Sequence, residues 1–544
     1  MATVALHPNN SQESIHRGTI VGVMIFGAFV AILNQTLLNV AIPHLMTAFN
    51  VTADTVQWLS TAYMLTNGIT IPITAFLIGT FTTRGLFLTS LTFFTLGSFI
   101  CSIAPTFTIM LIGRIVQAAG AGIMMPLMMT VILNIYPPDI RGKAMGTVGI
   151  AMFFAPAVGP TLSGWMIEHY SWRLLFWVVI PIAILDMILA AALLKNVTER
   201  TKPKFDAWGF VTSTIGFGSL LYGFSEAGSK GWQSGVVLAT IVVGLIFIAL
   251  FAIHELTAKN PMLNLRVFKY GMFTLAAAVS SVVNMAMFGG ALLVPIYIQN
   301  IRGYTPLESG LLLLPGAILM GIMSPISGAL LDRYGIRPLA VIGLLITSVT
   351  TWQFAHLNMY TNYSHVMLLY TMRMFGMSFI AMTIMTSGLN HLPRHLNSHG
   401  TASANTVRMV AASLGTAFLI TVMSNRSNYH IAQYGNTMTL SNAVPAQFLQ
   451  DTAQSLAALL GQPLSVGYAA AVQILSGLTQ AHATVNGIDD AFVVATALAV
   501  VALVLSFFLR KRVVLREPGP TRQPVVIVDE GPRTPKLLPK STVK

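Results

Sequence analysis

The fold class that this sequence predicts is an all-α integral membrane protein of about fourteen transmembrane helices, arranged as six, an inserted pair and six more. Three observations predict it. Hydrophobic residues make up 54% of the 544-residue chain and charged ones only 9%, where a soluble protein carries about 25% charged residues. Apolar runs of roughly 20 residues, the length that crosses a hydrocarbon core about 30 Å thick, recur along almost the whole chain. Lys and Arg gather in alternate loops, as the positive-inside rule requires.

Taken in order, the first run extends from about Gly18 to Leu45. It is too long for the apolar region of a signal peptide and lacks a small-residue cleavage site, so it is read as a retained first span. Spans over about 18–44, 54–78, 86–104, 108–133, 144–167 and 173–195 form a first group of six, the N-terminal half at 18–195. Runs at about 208–225 and 235–255 form an inserted pair within 196–271. Runs at about 272–298, 308–331, 338–358, 364–390, 401–424 and 489–509 make up the C-terminal half at 272–509. Residues 1–17 and the basic tail 510–544 flank the spans. Residues 425–488, rich in Ala, Gln, Ser and Leu and nearly free of charge, are expected to be an outer loop with short amphipathic helices around Phe448, Leu449, Leu456, Leu459 and Leu460. Another span there would carry the basic tail to the outer face.

With the N-terminus inside, Arg17, Arg84, Arg141, Lys143, Lys195, Arg200, Lys202, Lys204, Lys259, Arg266, Lys269, Arg333, Arg337 and Arg394 all fall on the cytoplasmic side. Outer loops keep Arg173, Lys230, Arg302 and Arg426. An even span count returns the tail, beginning RKRVVLR, to the same side as the N-terminus. A formal charge of +13 is thereby explained as topology rather than as a nucleic-acid surface, because the bases sit in short clusters between apolar runs. The lone Cys101 permits neither an intrachain disulfide nor a cysteine metal cluster.

A weak internal repeat supports two parallel halves. TFTIMLIGRIVQAAG in the fourth span and SHVMLLYTMRMFGMS in the twelfth each place an arginine, Arg114 or Arg373, early in an apolar helix with glycine soon after. FTTRGL at 81–86 and LLDRYGIR at 330–337 also correspond.

A charge inside a span costs about 2.5–3.5 kcal/mol on insertion scales, so embedded ionisable residues are functional candidates. They are Arg114, Asp186, Arg373 and Arg408. Arg114 heads R-x-x-Q-x-x-G-x-G, with Gln117 on nearly the same helix face. It has two readings, a buried arginine holding backbone carbonyls or a part of proton coupling. Asp186 is the carboxylate placed well inside a span and the candidate proton carrier, unless the sixth span turns it to lipid or the membrane surface. Glu226, Glu308, Asp489 and Asp490 lie at span ends, where solvation explains them. In the fifth span, Gly149, Pro156, Gly159, Pro160 and Gly164 make a bent, closely packing helix suited to a rocking seam. HLPRHLNSH sets His391, His395 and His399 at helical spacing, but Pro393 interrupts the helix and no acid is near. A metal site, and with it a membrane-bound enzyme, is therefore the remote alternative.

Together these motifs resemble the major facilitator superfamily, and within it the fourteen-span drug:proton antiporter family of EmrB and QacA type, nearest the LmrB-like branch. The resemblance runs from about Gly18 to Arg510. LNQTLLNVAIP at 33–43 is similar to that family's L-D-x-T-x-x-N-x-A-L-P, and Gln57, Trp58 and Tyr63 to its Q-W-x-x-x-x-Y. GPTLSG at 159–164 resembles the antiporter motif, SWRLLFW at 171–177 the opening of the sixth span, and SGALLDRYGIRP at 327–338 the loop motif of the gate. NTVRMVAASLG, from Asn405 to Gly415, resembles the thirteenth span of the LmrB-like branch. Three positions depart from the pattern: Asn34 and Thr83 stand where acids are usual, and Val179 replaces an asparagine.

The resemblance implies a major facilitator fold and alternating access about a midplane site. It implies proton-coupled efflux of small lipophilic or cationic drugs and toxins, with export of a specific metabolite such as an amino acid or lipid precursor as the alternative. Asp186, Arg114 and Arg373 become the proton-coupling candidates. Asn34, Gln35, Tyr63, Gln117, Met124, Asn284 and Met287 become the substrate-pathway candidates. Arg84, Gly159, Pro160, Gly164, Asp332, Arg333, Gly335, Arg337, Asn405 and Arg408 become gating and motif residues. No metal, cofactor or nucleic acid is implied; no G-x-x-x-x-G-K-[ST] loop is present for ATP. The expected partners are a small-molecule substrate, protons and the bilayer. The expected form is a monomer in a bacterial cell membrane with both termini cytoplasmic, and the resemblance leaves an accessory adaptor protein open.

Overall fold

The computed structural model describes residues 17–510 apart from 52, 199, 201–202, 260 and 438–442. The N-terminal segment before Arg17, the tail beyond Arg510 and Lys202 lie outside the described residues. Every regular element described is helical.

Seven helices form the first half: α1 Arg17–Phe49, α2 Ala53–Thr80, α3 Thr83–Ile103, α4 Phe107–Ile135, α5 Arg141–His169, α6 Leu174–Trp177 and α7 Val179–Leu193. The inserted pair is α8 Ala207–Lys230 and α9 Gly235–Thr257. The second half contains α10 Gly271–Ile296, α11 Pro306–Tyr334, α12 Ile336–Phe354, α13 Tyr363–Ser378, α14 Thr383–Leu389, α15 Asn397–Thr437, α16 Ala443–Leu460 and α17 Leu464–Ser506. Among the described residues, 12 helices are long and apolar enough to cross a membrane. To these α8 and α12 add 24 and 19 residues of helix, each of spanning length but diluted by Ser, Thr and Gly.

Local chemistry fixes where these helices start. Thr82 and Thr106 accept from the amides of Gly85 and Ile109, Asp206 from that of Gly209, and Thr305 with Glu308 closes a capping box on α11. The helix ends that carry Arg141, Asp332 and Asn390 meet at one end of the bundle, which Arg333 and Arg394 flank in sequence and which is here termed the basic end.

The halves meet along α5 and α11, which pack antiparallel over their whole length, and again where α15 lies on α2 and α4. Glycines allow the first contact. A Cβ on Gly146 would stand 2.5 Å from the Ser324 carbonyl, and one on Gly328 only 2.0 Å from that of Gly142. The inserted pair docks outside this frame: Phe217 and Phe251 pack with Ala75 of α2 and Ala402 of α15. The opposite face of α9, with Leu238, Val242, Leu245, Ile246 and Ile253, is exposed as a lipid-facing surface.

Two segments differ from the sequence expectation. Residues 425–488 include the expected amphipathic helix, α16, which carries Phe448, Leu449, Leu456, Leu459 and Leu460, but the rest of the described segment is not a loop. It continues the flanking helices, so that α15 reaches 41 residues and α17 reaches 43, about 60 Å each. The physical reason is composition: Ala, Leu and Gln are strong helix formers, and Gly461, at φ 60°, with Pro463 marks the break between α16 and α17. Close packing holds the long helices together, since a Cβ on Gly487 would stand 2.1 Å from Ser427 Oγ. Asp490 further ties α17 to Arg426 at 2.6 Å and His430 at 3.0 Å on α15. The twelfth span, expected to be one helix, is broken between α13 and α14, and a π turn at Tyr297–Ile301 follows Pro295 at the end of α10. Interrupted helices of this kind expose backbone groups inside transporters.

Candidate functional site

Four of the residues singled out in the sequence come together in the first half. Arg114, on α4 and 1% exposed, donates from Nη1 to Asn34 Oδ1 at 3.0 Å and to Gln117 Oε1 at 2.6 Å. Its Nε reaches the Leu59 carbonyl at 3.5 Å, and its guanidinium lies 4.2 Å from the centre of the Tyr63 ring. Gln117 passes the network on, donating to Ser98 Oγ of α3 at 2.7 Å. Helices α1, α2, α3 and α4 are thus bound by one charge whose acceptors are all neutral. Asn34, at the position where the resemblance led one to expect an acid, supplies an amide oxygen instead. No ion pair forms here, and the cation is held by charge-assisted hydrogen bonds and the aromatic face.

Asp186 lies elsewhere. It is fully buried on α7, so lipid or surface exposure of the sixth span does not apply. Neither of its carboxylate oxygens has a hydrogen-bond partner. The carboxyl fills the notch left by Gly27 of α1: a Cβ there would stand 2.4 Å from Asp186 Oδ2 and 3.0 Å from the Phe87 ring. Gly27 and Asn34 are two turns apart on one face of α1, so Asp186 and the Arg114 network are separated by about 10 Å along that helix.

The second-half candidates form a separate group. Arg373, also 1% exposed, donates from Nη2 to the Ala286 carbonyl of α10 at 3.1 Å, and Met287 lies beside it. Asn284 turns back to the Ser280 carbonyl at 2.6 Å. Met124 is core packing in the first half, whereas Gln35 and Arg408 are half-buried on α1 and α15. Asn405 donates to the Thr401 carbonyl at 2.9 Å and reaches Met129 Sδ of α4 at 3.4 Å, across the boundary between halves.

At the basic end the loop motif spans the two halves. Asp332, near the end of α11, accepts from the backbone amides of Gly142 at 2.8 Å and Lys143 at 2.9 Å. These are among the free N–H groups of the first turn of α5, whose own N-cap position, Ile140, has no side-chain cap. A carboxylate of one half thus caps a helix of the other, with the helix dipole favouring its charge. Gly335, at φ 86°, makes the turn into α12 that sets Asp332 in place, and Arg337 donates to the Leu509 carbonyl at 3.1 Å, beyond the end of α17. Arg333 lies over Tyr334, 5.3 Å from the ring centre. The first-half copy of this motif behaves differently: Thr83 receives the Val197 and Thr198 amides, and the Arg84 amide donates to Asn196, all in the linker that follows the first half rather than in the second half. On α5, Gly159 meets Thr36 of α1, Pro160 and Thr161 lie against Gly310 of α11, and Gly164 has open space around it.

Sequence reasoning missed several partners. Buried Arg141 donates to the Leu133 and Tyr136 carbonyls and, across the halves, to Asn390 Oδ1 at 3.1 Å. Asn397 donates to Asn134 at 3.2 Å at the same end. Glu255, fully buried one turn from the end of α9, accepts from the Leu263 amide at 3.1 Å. Nothing in the sequence separates these residues from ordinary loop charges and amides. Two of the three histidines take separate partners: His391 faces the Ser387 carbonyl at 2.8 Å and His399 the Asn264 amide at 3.1 Å. Among the described residues no group of three His, Cys, Asp or Glu side chains is placed to hold a metal ion.

Comparison with known proteins gives this geometry its context. The sequence profile of the Major Facilitator Superfamily matches residues 24–416. The chain is 51% identical over 492 residues to the uncharacterized MFS-type transporter YhcA of Bacillus subtilis (strain 168), covering 90% of this chain and 92% of that one. It is 39% identical over 490 residues to the lincomycin resistance protein LmrB of the same organism, covering 90% and 95%. Among solved structures, the human organic anion transporter MFSD10 (TETRAN) superposes with a TM-score of 0.60 over 90% of this chain and 99% of that one, at 11% identity.

Proposed function

The chain belongs to the Major Facilitator Superfamily, on the drug-resistance branch that includes LmrB, and from that premise we propose that it is a proton-driven exporter of small lipophilic drugs working by alternating access. The observation that carries this reading is the α5–α11 seam. Its halves are joined at the basic end by a carboxylate on two backbone amides, a contact strong enough to hold one conformation and small enough to break in each cycle. The basic end is taken as cytoplasmic, with both termini there, on the positive-inside rule.

Proton coupling is assigned to Asp186. It is a buried carboxyl without hydrogen bonds, two turns along α1 from a guanidinium that is already committed to amide oxygens. With no hydrogen bond to either oxygen, the carboxyl can take up or release a proton without breaking a contact of the fold. The energy suffices: one charge is worth about 2.3 kcal/mol per 100 mV and a pH unit adds about 1.4 kcal/mol. Together these sustain roughly a 500-fold gradient of a neutral substrate per proton.

The test is transport by everted membrane vesicles across a panel that includes lincomycin, with and without an uncoupler. Uptake of several panel members that collapses with the proton gradient supports the reading. Uptake confined to one metabolite, or indifferent to the uncoupler, removes it.

A further inference from the structure

Arg114 and Arg373 hold matching places in the two halves, yet their guanidinium groups are satisfied differently. Arg114 has two amide oxygens, a carbonyl and an aromatic face. Arg373, equally buried, has one carbonyl, and its Nε and Nη1 have no acceptor. Beside it lies a small void of about 10 Å³, lined by Val283 and Met287 of α10, Leu344 and Thr347 of α12, Met377 of α13 and Ala499 of α17. No carboxylate lines it.

We propose that this void is a binding site for one small monovalent anion, chloride in the cell, held by the Arg373 guanidinium. Three physical facts converge on that occupant. An arginine keeps its charge in almost any environment, and an uncompensated charge is strongly disfavoured in a low-dielectric interior, so a counter-charge is favoured. Two buried N–H donors without acceptors carry a further desolvation cost that an anion relieves at once. The volume admits a single body about the size of a water molecule. It therefore excludes the carboxylate or phosphate of an organic substrate. Met287 and Met377 are pliable enough to accommodate an ion somewhat larger than water. An anion there would bind α10, α12, α13 and α17 together, as neutral amides bind the helices of the first half.

Two measurements on the purified wild-type protein decide it. At constant ionic strength, replacing gluconate by chloride should raise Tm saturably, and crystals grown in bromide should show an anomalous peak within hydrogen-bond distance of Arg373 Nε and Nη1. Arg373→Gln should abolish the chloride response of Tm. A second variant, Gly290→Ala, whose methyl would stand 2.6 Å from Nη2 and 2.8 Å from Nη1, should weaken chloride roughly tenfold by displacing the guanidinium. Equal Tm in chloride and gluconate, or a void holding water with no anomalous peak, overturns the assignment whether or not either variant folds.

Discussion

Asp186 and the Arg114 network divide the polar interior of the first half into two sites with different expected responses to mutation. Asp186→Asn keeps the shape but removes the titrating group, so efflux driven by a proton gradient should fall at least tenfold while expression and Tm stay near wild type. Unchanged transport with unchanged pH dependence would eliminate the residue. Gly27→Ala presses a methyl against the same carboxyl and should shift the pH profile of transport without abolishing it, as stopped-flow pH jumps would report. In contrast, Asn34→Ala strips one acceptor from a buried cation and should cost about 1.5–3 kcal/mol of stability, visible as a lower Tm. The sequence marked Arg114 and Asp186 because charge is rare in apolar runs, Gln117 because it follows Arg114 on nearly the same helix face, and Asn34 because the resemblance places an acid there. It did not mark Ser98 or Glu255, because a serine in a span, or a charge within a turn of its end, is common and cheap.

Among the helices, α5 and α11 are the mechanical element of the proposed cycle. The two amide contacts of Asp332 bind the halves only while the basic end is closed, so Asp332→Ala removes about 1.5–3 kcal/mol from that state alone. The equilibrium should move toward opening at that end by about ten- to a hundredfold. Double electron–electron resonance between spin labels across the basic end should show longer distances in the variant; unchanged distances would refute the latch. That glycines and prolines crowd the fifth span was legible as a packing seam, and the loop motif at 327–338 as a candidate gate. Which helix the motif caps was not, since Gly142 and Lys143 contribute backbone amides and leave no side-chain signature. The length of α15 and α17 also escaped, because an Ala-, Gln- and Leu-rich stretch without charge reads equally well as an interfacial loop or as a continuing helix.

At the scale of the whole molecule, the two halves and the inserted pair follow from hydrophobic runs and charge placement, because in a bilayer every backbone polar group must be satisfied within its own helix. The pairing of helices between halves follows from no such rule and required the structure. The central claim is that this fold exports lipophilic substrates at the expense of protons, and its most direct measurement is simultaneous substrate and proton flux in everted vesicles energised to an acid interior. Addition of a transported substrate should drive its accumulation together with proton release from the vesicle lumen, both lost with an uncoupler and both strongly reduced in Asp186→Asn. Substrate accumulation without proton movement, or undiminished by the uncoupler, would contradict it.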